Sequence, residues 1–327
     1  MSTSKRSRSA TPPRVKKGAS NEKLKAPILL PNLILGSKGK PILIFLAGYP
    51  DDCTSGWGVD NLKSLSADYR LICLALPGYD FPRKNIQPWG WDLPAILQML
   101  HETIEKLLAE ENASTYSLIV HDWGSYIGMC YQNRHPERIL KMIAFDVGIT
   151  KPTIVEGLRI MFYQWYFAFS FLVSQVFSVT IANLSLLFFF YFISWTPLGP
   201  CPQDIVPRPR TEVDIQQAYP YWYFWFGPNG VLRSGLKNMP KPSLTKLLAP
   251  IPVKSEGKSA VSTYRKCPIF FMYGTKKNVM FHSKFFIETL YKTEGCRVKS
   301  FDCGHWIILS KHKHEVLRDM RMFLGSS

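Results

Sequence analysis

Asp122 lies at a point in the chain that suits a nucleophilic carboxylate. It stands in the segment VHDWGS at 120–125, after the apolar run 116–120 and before a helix predicted over 124–134. A residue on such a strand-to-helix elbow is held on a sharp turn, with its side chain exposed above the sheet. Gly124 lets this turn close without a Cβ clash. Because a helix N-terminus favours negative charge, we interpret Asp122 as a nucleophile that forms an ester with its substrate. The alternative is that Asp122 only caps the helix.

A histidine near the end of the chain is a candidate for the base. His305 stands in the segment CGHW at 303–306, directly after the stretch 298–301, which we interpret as the last strand. In folds with such an elbow the nucleophile, the acid and the histidine follow one another along the chain. We therefore expect His305 to activate a water molecule that attacks the ester on Asp122. The alternative, in a chain with seven histidines, is a surface or structural role.

The elements that position these residues are predicted to be strands of a parallel sheet. Short continuous apolar runs mark strands that are buried on both faces. Helical stretches lie between the runs, and the clearest is 93–110, with Asp92 as its N-cap and Pro94 in its first turn. Strands that alternate with helices predict a parallel sheet built of βαβ units. The predicted strands are 42–46, 70–76, 116–120, 139–145, 268–273 and 298–301.

The alternation of strands and helices stops near residue 150 and resumes at Pro268. This break indicates an insertion that closes over the C-terminal edge of the sheet, where α/β folds place their sites. We therefore predict four parts of the chain. They are a basic disordered tail at 1–26, the first part of the core at 27–150, an apolar, aromatic-rich cap insertion at 151–265 and the second part of the core at 266–327.

Several of these motifs resemble one branch of the α/β-hydrolase family, the epoxide hydrolases and haloalkane dehalogenases. HDWG at 121–124 is similar to the elbow of that branch, and GHW at 304–306 is similar to its histidine motif. AGYP at 47–50 falls where the family carries His-Gly-x-Pro, and LPGY at 76–79 resembles the family's loop after the next strand.

The resemblance covers about 40–150 and 265–325, and the insertion corresponds to the cap of that branch. It implies an α/β-hydrolase fold, in which a mostly parallel sheet is flanked by helices, and a hydrolase that needs no cofactor and no metal. It also implies that the backbone N–H groups of Tyr49 and Trp123 form an oxyanion hole. Ala47 stands where the family usually has a histidine.

The orienting acid of the family has no counterpart at its usual place. A few residues past the strand 268–273, where the family most often has Asp, the chain reads GTKKN at 274–278 and contains no carboxylate. Asp146, however, ends the strand 139–145, and some dehalogenases place their acid after that strand. The resemblance therefore implies that Asp146 orients His305. The alternative for Asp146 is a role in the turn at the strand end.

Tyrosines of the insertion are candidates for assisting the opening of an epoxide. In the family, two cap tyrosines donate to the developing alkoxide. The candidates here are Tyr163, Tyr166, Tyr221 and Tyr223, and Tyr223 matches the second position of the family best. A reaction that releases a halide would instead use the Trp123 N–H and a second donor. We favour epoxides because the cap is rich in tyrosine.

The insertion contains 44 residues, 160–203, without Asp, Glu, Lys or Arg. Within it, the apolar stretch 167–195 has the length that a helix needs to cross a bilayer core. Three interpretations are open: a transmembrane or re-entrant segment, a cap that dips into one leaflet, and a cap buried in protein. A single crossing would place the strands before 150 and after 268 on opposite sides of the membrane. We therefore favour a cap that faces a membrane.

Much of the net charge of +16 lies at the start of the chain, because 1–26 holds eight Lys or Arg and one Glu, or +7. A segment this basic and rich in Ser and Pro is predicted to be disordered, and it either solubilises the chain or attracts anionic lipid. It lacks the apolar run of a secretory signal. It also lacks interleaved aromatic residues, so we expect no nucleic-acid partner. Seven scattered cysteines without a CxxC pair indicate reduced thiols facing the cytosol.

Together these features predict a cofactor-free hydrolase on the cytosolic side, acting on an epoxide or a haloalkane of a small hydrophobic substrate. An ester hydrolase on the same scaffold is disfavoured, because a carboxylate is a poor nucleophile for forming an acyl-enzyme. The remaining alternative is a non-catalytic protein that binds membranes or lipids through 160–203 and the basic tail. Nothing in the sequence indicates an oligomeric state.

Overall fold

The computed structural model describes residues 28–54, 59–79, 87–200, 213–253 and 263–325. The basic tail at 1–26, predicted to be disordered, lies outside the described residues, as do the last residues of the uncharged stretch, 201–203.

The strands of the described residues form one large sheet and one small hairpin. They are β1 (Asn32–Leu35), β2 (Ile42–Leu46), β3 (Arg70–Leu74), β4 (Tyr116–His121), β5 (Ile139–Phe145), β6 (Ile251–Val253), β7 (Thr263–Arg265), β8 (Ile269–Gly274) and β9 (Arg297–Phe301). The large sheet has the order β1-β3-β2-β4-β5-β8-β9, and β6 pairs with β7. Within the large sheet, neighbours are parallel except at the edge, where β1 runs antiparallel to β3.

The prediction that the apolar runs form strands is confirmed. Every residue of β2 is buried, as expected for a strand inside a parallel sheet. The predicted strands 42–46 and 139–145 have the observed bounds, and the other four differ at their ends by one or two residues. The edge strand β1 and the β6–β7 hairpin were not predicted.

Ten helices lie in the described part of the chain. They are α1 (Val59–Leu62), α2 (Leu93–Glu110), α3 (Trp123–Gln132), α4 (Ile154–Val176), α5 (Val179–Tyr191), α6 (Tyr219–Phe226), α7 (Val231–Asn238), α8 (Leu244–Leu247), α9 (Lys284–Lys292) and α10 (Lys313–Gly325). The prediction of α2 is confirmed, including its N-cap, because Oδ1 of Asp92 accepts a hydrogen bond from the Ala95 N–H at 3.0 Å.

Helices α4 to α8 occupy the predicted insertion, between β5 and β8, whereas the exact domain boundaries remain a prediction. Helix α4 begins with a capping box, in which Oε2 of Glu156 accepts from the Thr153 N–H at 2.9 Å and Oγ1 of Thr153 accepts from the Glu156 N–H. Helix α5 begins after Ser178, whose side chain also caps it. Among the helices described, none is both long and apolar enough to cross a membrane.

Hydrogen bonds tie this cap to loops at the carboxyl ends of the parallel strands. The hydroxyl of Tyr219, at the start of α6, donates to the carbonyl oxygen of Pro77 at 3.0 Å. The side-chain amide of Asn278, in the loop after β8, donates to the carbonyl oxygen of Gly199 at 2.8 Å. The cap therefore lies over the strand ends that carry Asp122 and its neighbours.

Candidate active site

Asp122 occupies the turn between β4 and α3, with φ 54° and ψ −126°. A positive φ is uncommon for a residue with a side chain, and the surroundings must hold it there. Two glycines allow this close packing. A Cβ added to Gly48 would lie 2.5 Å from the backbone nitrogen of Trp123, and one added to Gly124 would collide with the backbone of Leu46. The Asp122 side chain makes no N-cap hydrogen bond, and its contact with α3 is limited to the N–H of the first helical residue, Trp123. The structure therefore does not support the helix-cap alternative.

Two backbone N–H groups hold the Asp122 carboxylate. The N–H of Tyr49 donates to Oδ1 of Asp122 across 2.7 Å, and the N–H of Trp123 also donates to this side chain. These are the donors that the family resemblance implies for the oxyanion hole. The position of the Tyr49 N–H suits negative charge on Oδ1, which is where charge would develop if an ester formed through Oδ2 were attacked by water.

The imidazole of His305 lies between two carboxylates. Its Nε2 is 3.4 Å from Oδ2 of Asp122, and its Nδ1 is 2.5 Å from Oδ2 of Asp146. Asp146 is completely buried directly after β5, with φ 64°, and the Gly274 N–H donates to its Oδ1 at 3.0 Å. The structure thus brings together the three side chains predicted to be nucleophile, base and acid.

Burial and charge set the protonation of this cluster. Burial raises the pKa of the Asp122 carboxyl, but the hydrogen bond and charge of His305 outweigh burial and leave that pKa below its ordinary value. Burial lowers the pKa of His305, but the charges and hydrogen bonds of Asp146 and Asp122 raise it to about 10. At neutral pH the resting site therefore pairs a carboxylate at Asp122, the form that can attack, with an imidazolium at His305.

Lys277 belongs to this cluster and was not predicted. Its Nζ lies 2.5 Å from Oδ1 of Asp146, and both side chains are fully buried. Burial raises the pKa of Asp146, whereas the charges of Lys277 and His305 bring it below its ordinary value. Lys277 comes from the loop 274–278, where the resemblance leads one to expect an acid. The missing carboxylate in that loop was the only sequence signal for it.

A second buried pair of acid and imidazole, Asp51 and His121, lies beside His305, and the His121 ring contacts the His305 ring. Oδ2 of Asp51 is 3.4 Å from Nδ1 of His121 and accepts from Nε1 of Trp306 at 3.3 Å. The ring centroid of His121 is 4.4 Å from that of His305. Burial raises the pKa of Asp51, and His121 opposes this shift. The rings of His121 and Trp306 pack against the ring of the predicted base, and the role of Asp51 between them was not predicted from the sequence.

An apolar cavity of about 230 Å³ opens beside Asp122, with walls from both core and cap. The core contributes Trp123, and the cap contributes Tyr163 and Tyr221. The Trp123 side chain is hydrogen-bonded to the Tyr221 hydroxyl. Because an indole N–H can only donate, the hydroxyl oxygen is the acceptor and keeps its own proton for another partner. Among the side chains described, no group of three or more His, Cys, Asp or Glu is arranged to hold a metal ion.

Comparison with known proteins places the chain in a family. Residues 41–311 match the family described as the alpha/beta hydrolase fold. The chain belongs to this family. The fold of this α/β-hydrolase is also similar to that of the Bacillus megaterium epoxide hydrolase solved with an inhibitor, with a TM-score of 0.56 and 17% identity over 91% of this chain and 97% of that chain. The predicted fold class is therefore confirmed.

Two curated relatives match this α/β-hydrolase over shorter stretches. Epoxide hydrolase 1 of Caenorhabditis elegans is 25% identical over 112 residues, which are 34% of this chain and 26% of that protein. The cis-3-alkyl-4-alkyloxetan-2-one decarboxylase of Shewanella oneidensis is 39% identical over 71 residues, which are 22% of this chain and 18% of that protein. Each match thus covers far less than two thirds of the relative. The family and the worm relative support the prediction of a hydrolase.

The structure corrects two of the predicted tyrosine donors. Tyr223 does not line the cavity beside Asp122 but faces a separate small pocket that includes Asp92. Residues two apart on a helix lie about 200° apart around its axis, so Tyr221 and Tyr223 cannot face the same cavity. Tyr166 is turned to α5, where its hydroxyl donates to the carbonyl oxygen of Ser185 at 2.9 Å.

Tyr163 and Tyr221 are the cap tyrosines that the α/β-hydrolase cavity brings near Asp122. Their ring centroids are 6.3 Å apart, and both line the cavity. Gln164 donates from Nε2 to the Tyr163 hydroxyl at 3.0 Å, so this oxygen also accepts a bond within the cap. The sequence made both Tyr221 and Tyr223 candidates. The rotation of α6 about its axis places Tyr221, and not Tyr223, at the cavity.

Proposed function

We propose that this chain is a cofactor-free hydrolase that opens a small strained oxygen ring, an epoxide in the first instance, through an ester on Asp122. The observation that carries the proposal is the position of His305, with one ring nitrogen 3.4 Å from Asp122 and the other 2.5 Å from Asp146. This is the arrangement of a base whose orientation is set by a second acid.

In the first step, Oδ2 of Asp122 attacks a ring carbon and the carbon–oxygen bond of the ring breaks. The leaving oxygen takes a proton from the hydroxyl of Tyr221 or Tyr163, both of which line the same cavity. The products are an ester on Asp122 and a tyrosinate. Because the ester has no charge, one of the two carboxylates that raise the pKa of His305 is lost. The imidazolium therefore gives its proton to the tyrosinate and becomes neutral.

In the second step, neutral His305 takes a proton from a water molecule whose oxygen attacks the ester carbon. The negative charge that develops on Oδ1 is stabilised by the N–H groups of Tyr49 and Trp123. Collapse breaks the bond between the ester carbon and Oδ2, and this oxygen leaves with the product and takes a proton from the new carboxyl group. The site returns to a carboxylate and an imidazolium, and the sum is epoxide plus water to diol.

The choice of a strained ring is supported by the site and by the names of the relatives. With its indole N–H bonded to Tyr221, Trp123 is less suited to bind a leaving halide, which favours epoxides over haloalkanes. An epoxide and an oxetan-2-one, named in the two relatives, are both small strained oxygen rings. The 39% identity over 71 residues makes ring opening of an alkyl oxetanone with loss of carbon dioxide the second candidate.

Isotope labelling tests the proposal. The wild-type protein is incubated with alkyl epoxides in heavy-oxygen water, and the peptide that contains Asp122 is weighed after turnover. We expect one heavy oxygen in this peptide, because water supplies an oxygen to the carboxyl group. Diol formation without label in the peptide would contradict the ester mechanism. Release of carbon dioxide from a cis-3-alkyl-4-alkyloxetan-2-one, without diol from any epoxide, would favour the second candidate.

A further inference from the structure

The outer face of α5 carries an apolar stripe that no described part of the protein covers. Its residues follow one another at intervals of three and four positions, which places them on one side of a helix. Between 48% and 61% of each side chain is exposed. The stripe consists of Ile181, Leu184, Phe188 and Tyr191, with Trp195 just beyond the helix. The opposite face of α5, which includes Leu186 and Phe189, is buried against the protein.

Helix α4 extends this surface. Leu158, Phe162, Phe169 and Val176 are spaced by four and seven positions, and all are exposed. An apolar groove of about 530 Å³ with Phe169 and Ile181 in its walls connects α4 with α5. At the tip of the two helices, Phe177 is 77% exposed. We refer to these exposed residues of α4 and α5 together as the cap stripe.

The cap stripe differs from an ordinary helix surface because it carries no formal charge. All of its residues except Leu158 lie between 160 and 203, where the chain has no Asp, Glu, Lys or Arg. A helix that is apolar all round is normally buried on all sides, whereas α5 is buried on one side only. Contiguous apolar surface of this extent marks a site that another molecule covers.

Lipid suits this surface better than protein does. A partner helix on such spacing is normally selected by charged residues that flank the stripe, and protein interfaces have a polar rim; the uncharged stretch offers no charged rim. Insertion into the apolar part of a lipid leaflet needs neither flanking charges nor a polar rim. Tyr191 and Trp195, at one end of the stripe, are residue types enriched where a membrane meets water. The net charge of +16 complements anionic headgroups.

We propose that the cap stripe docks onto an anionic membrane and dips into one leaflet without crossing it. A surface-bound helix lies in the membrane plane with its apolar face about 5–10 Å into the leaflet boundary. Because α4 also contributes Ile160, Tyr163 and Gln164 to the cavity beside Asp122, docking sets that cavity next to the lipid.

Vesicle sedimentation tests this docking with the full chain. Vesicles of phosphatidylcholine with about one third phosphatidylserine are compared with vesicles of phosphatidylcholine alone. The stripe variant is Phe177→Gln/Leu184→Gln/Phe188→Gln. The control variant is Leu140→Gln/Phe285→Gln/Tyr291→Gln, whose residues are also large, apolar and exposed, at 42–66% against 51–77%, but lie outside the cap. Circular dichroism establishes that each variant is folded.

We expect wild type and control to bind the anionic vesicles and the stripe variant to bind at least about tenfold more weakly. Equal binding by stripe variant and wild type, or no binding by wild type, would overturn the proposal. Loss of binding on deletion of 1–26 with no effect of the stripe variant would assign binding to the tail alone, and would also overturn it. A wild-type dimer that the stripe variant dissociates, without vesicle binding, would mean that a second copy covers the stripe.

A different observation supports a second inference, which rests on the proposed function. The side chain of Lys277 is fully buried. Its Nζ is 2.5 Å from one oxygen of Asp146, and the other oxygen of Asp146 is 2.5 Å from His305. Burying an ammonium group is costly unless it is well paired, so its place beside the predicted acid calls for a reason. Its aromatic neighbour is Phe281, whose ring centroid is 5.4 Å from Nζ.

We infer that Lys277 is a positioning residue that fixes the Asp146 carboxylate and partly cancels its charge at His305. His305 faces Asp122, Asp146 and the ring of His121, while His282 also faces the pair of Asp146 and Lys277. When Asp122 is an ester, Asp146 is the charge that holds the proton on His305. The positive charge of Lys277 reduces this effect of Asp146. His305 therefore loses its proton, and becomes able to accept one from water, at a lower pH than it would without Lys277.

The test is the substitution Lys277→Met, which keeps side-chain length and removes the charge. We expect the ascending limb of the pH profile for ester hydrolysis to move up by about one pH unit. Lys276→Met is the control, because Lys276 pairs with exposed Asp302 at 3.0 Å, and it should leave the profile unchanged. An unchanged profile in a folded Lys277→Met protein would overturn the inference.

NMR titration of His305 separates failure of this inference from failure of the proposed function. The imidazole should hold its proton to higher pH in Lys277→Met than in wild type, whether or not an ester forms. If no ester forms in wild type but the titration moves, the proposed function fails and the charge effect stands. If Lys277→Met does not fold, Lys277→Gln serves in both measurements, and an unmoved titration there would overturn the inference.

Discussion

The core and the cap hold their site residues by different physical means. In the core, Asp122 and Asp146 both have positive φ directly after parallel strands, and backbone N–H groups bind their carboxylates. In the cap, Tyr163 and Tyr221 stand on helices and are placed by ring packing. The Tyr221 ring, for example, lies 5.1 Å from that of Trp123. The core thus specifies its reactive groups through the backbone, and the cap specifies its groups through side-chain packing.

In the proposed reaction, the core and the cap therefore have different tasks. The core holds the groups that form and break bonds on the enzyme. The cap holds the groups that meet the substrate, and a small rotation of α4 or α6 would change which tyrosine faces the cavity. We therefore expect substitutions in the core to change the chemical steps most, and substitutions in the cap to change ring opening more selectively.

The largest effect is expected from Asp122→Ala. Removal of the nucleophile should lower turnover by about 10⁴-fold or more, because no ester can form and the remaining groups cannot replace it. Steady-state diol formation measures the effect, with circular dichroism as the control for folding. Turnover within tenfold of wild type would contradict the proposal that Asp122, in the core, is the nucleophile.

The next effect is expected in the cap, from Tyr221→Phe. Loss of the hydroxyl should slow ester formation by about 100-fold, as expected for a general acid, while hydrolysis of the ester changes little. Tyr223→Phe is the matched control, since Tyr223 faces a different pocket, and it should stay within about twofold of wild type. Single-turnover kinetics measures both steps. The reverse order of effects would mean that α6 presents its other face to the substrate.

A pair of glycine substitutions compares the crowding of the two regions. In the core, a Cβ on Gly48 would lie 2.5 Å from Oδ1 of Asp122, so Gly48→Ala should lower the free energy of unfolding by about 3 kcal/mol. In the cap helix α4, a Cβ on Gly157 meets only Pro152, at 3.9 Å. Gly157→Ala should raise stability by about 0.5–1 kcal/mol, because Ala favours a helix. Urea unfolding measures both free energies. Equal destabilisation by the two substitutions would contradict the expected difference in crowding between core and cap.

A pH dependence of stability also belongs to the core. His305 has its pKa raised to about 10 by Asp146 and Asp122 against the effect of burial, above an unfolded value of about 6.5. The folded state therefore binds one more proton between these values. The stabilisation of the folded state by protonated His305 is fully present below pH 6.5 and is lost as pH rises towards 10. Over that range the free energy of unfolding should fall by up to about 1.4 kcal/mol per pH unit more in wild type than in His305→Gln.

Residues whose role follows from local pattern could be predicted from the sequence. Buried parallel strands are continuous apolar runs, so β2 and β5 were found with the observed bounds. The run that forms β4 was found to within one residue, and it placed the elbow at Asp122. The position of His305 after the last strand followed from the order of elements. Asp146 came from resemblance, because strand-end aspartates are common and their neighbours are far apart in sequence.

What could not be predicted depends on contacts between distant parts of the chain. Nothing local indicates that Lys277 turns inward to Asp146, 131 residues away in sequence. The choice of Tyr221 over Tyr223 depends on how α6 is rotated against α3 and α4. The edge strand β1 is mostly half-buried, and its pairing of Asn32 with Leu74 has no signal within its four residues.

Trapping the ester tests the central claim most directly. His305→Gln keeps the nucleophile and removes the base, so an alkyl epoxide should add its full mass to the protein once, on the peptide that contains Asp122. Wild type under the same conditions should release diol and carry no lasting adduct. Unmodified His305→Gln protein after exposure to epoxides that wild type hydrolyses, or an adduct on another residue, would contradict the account.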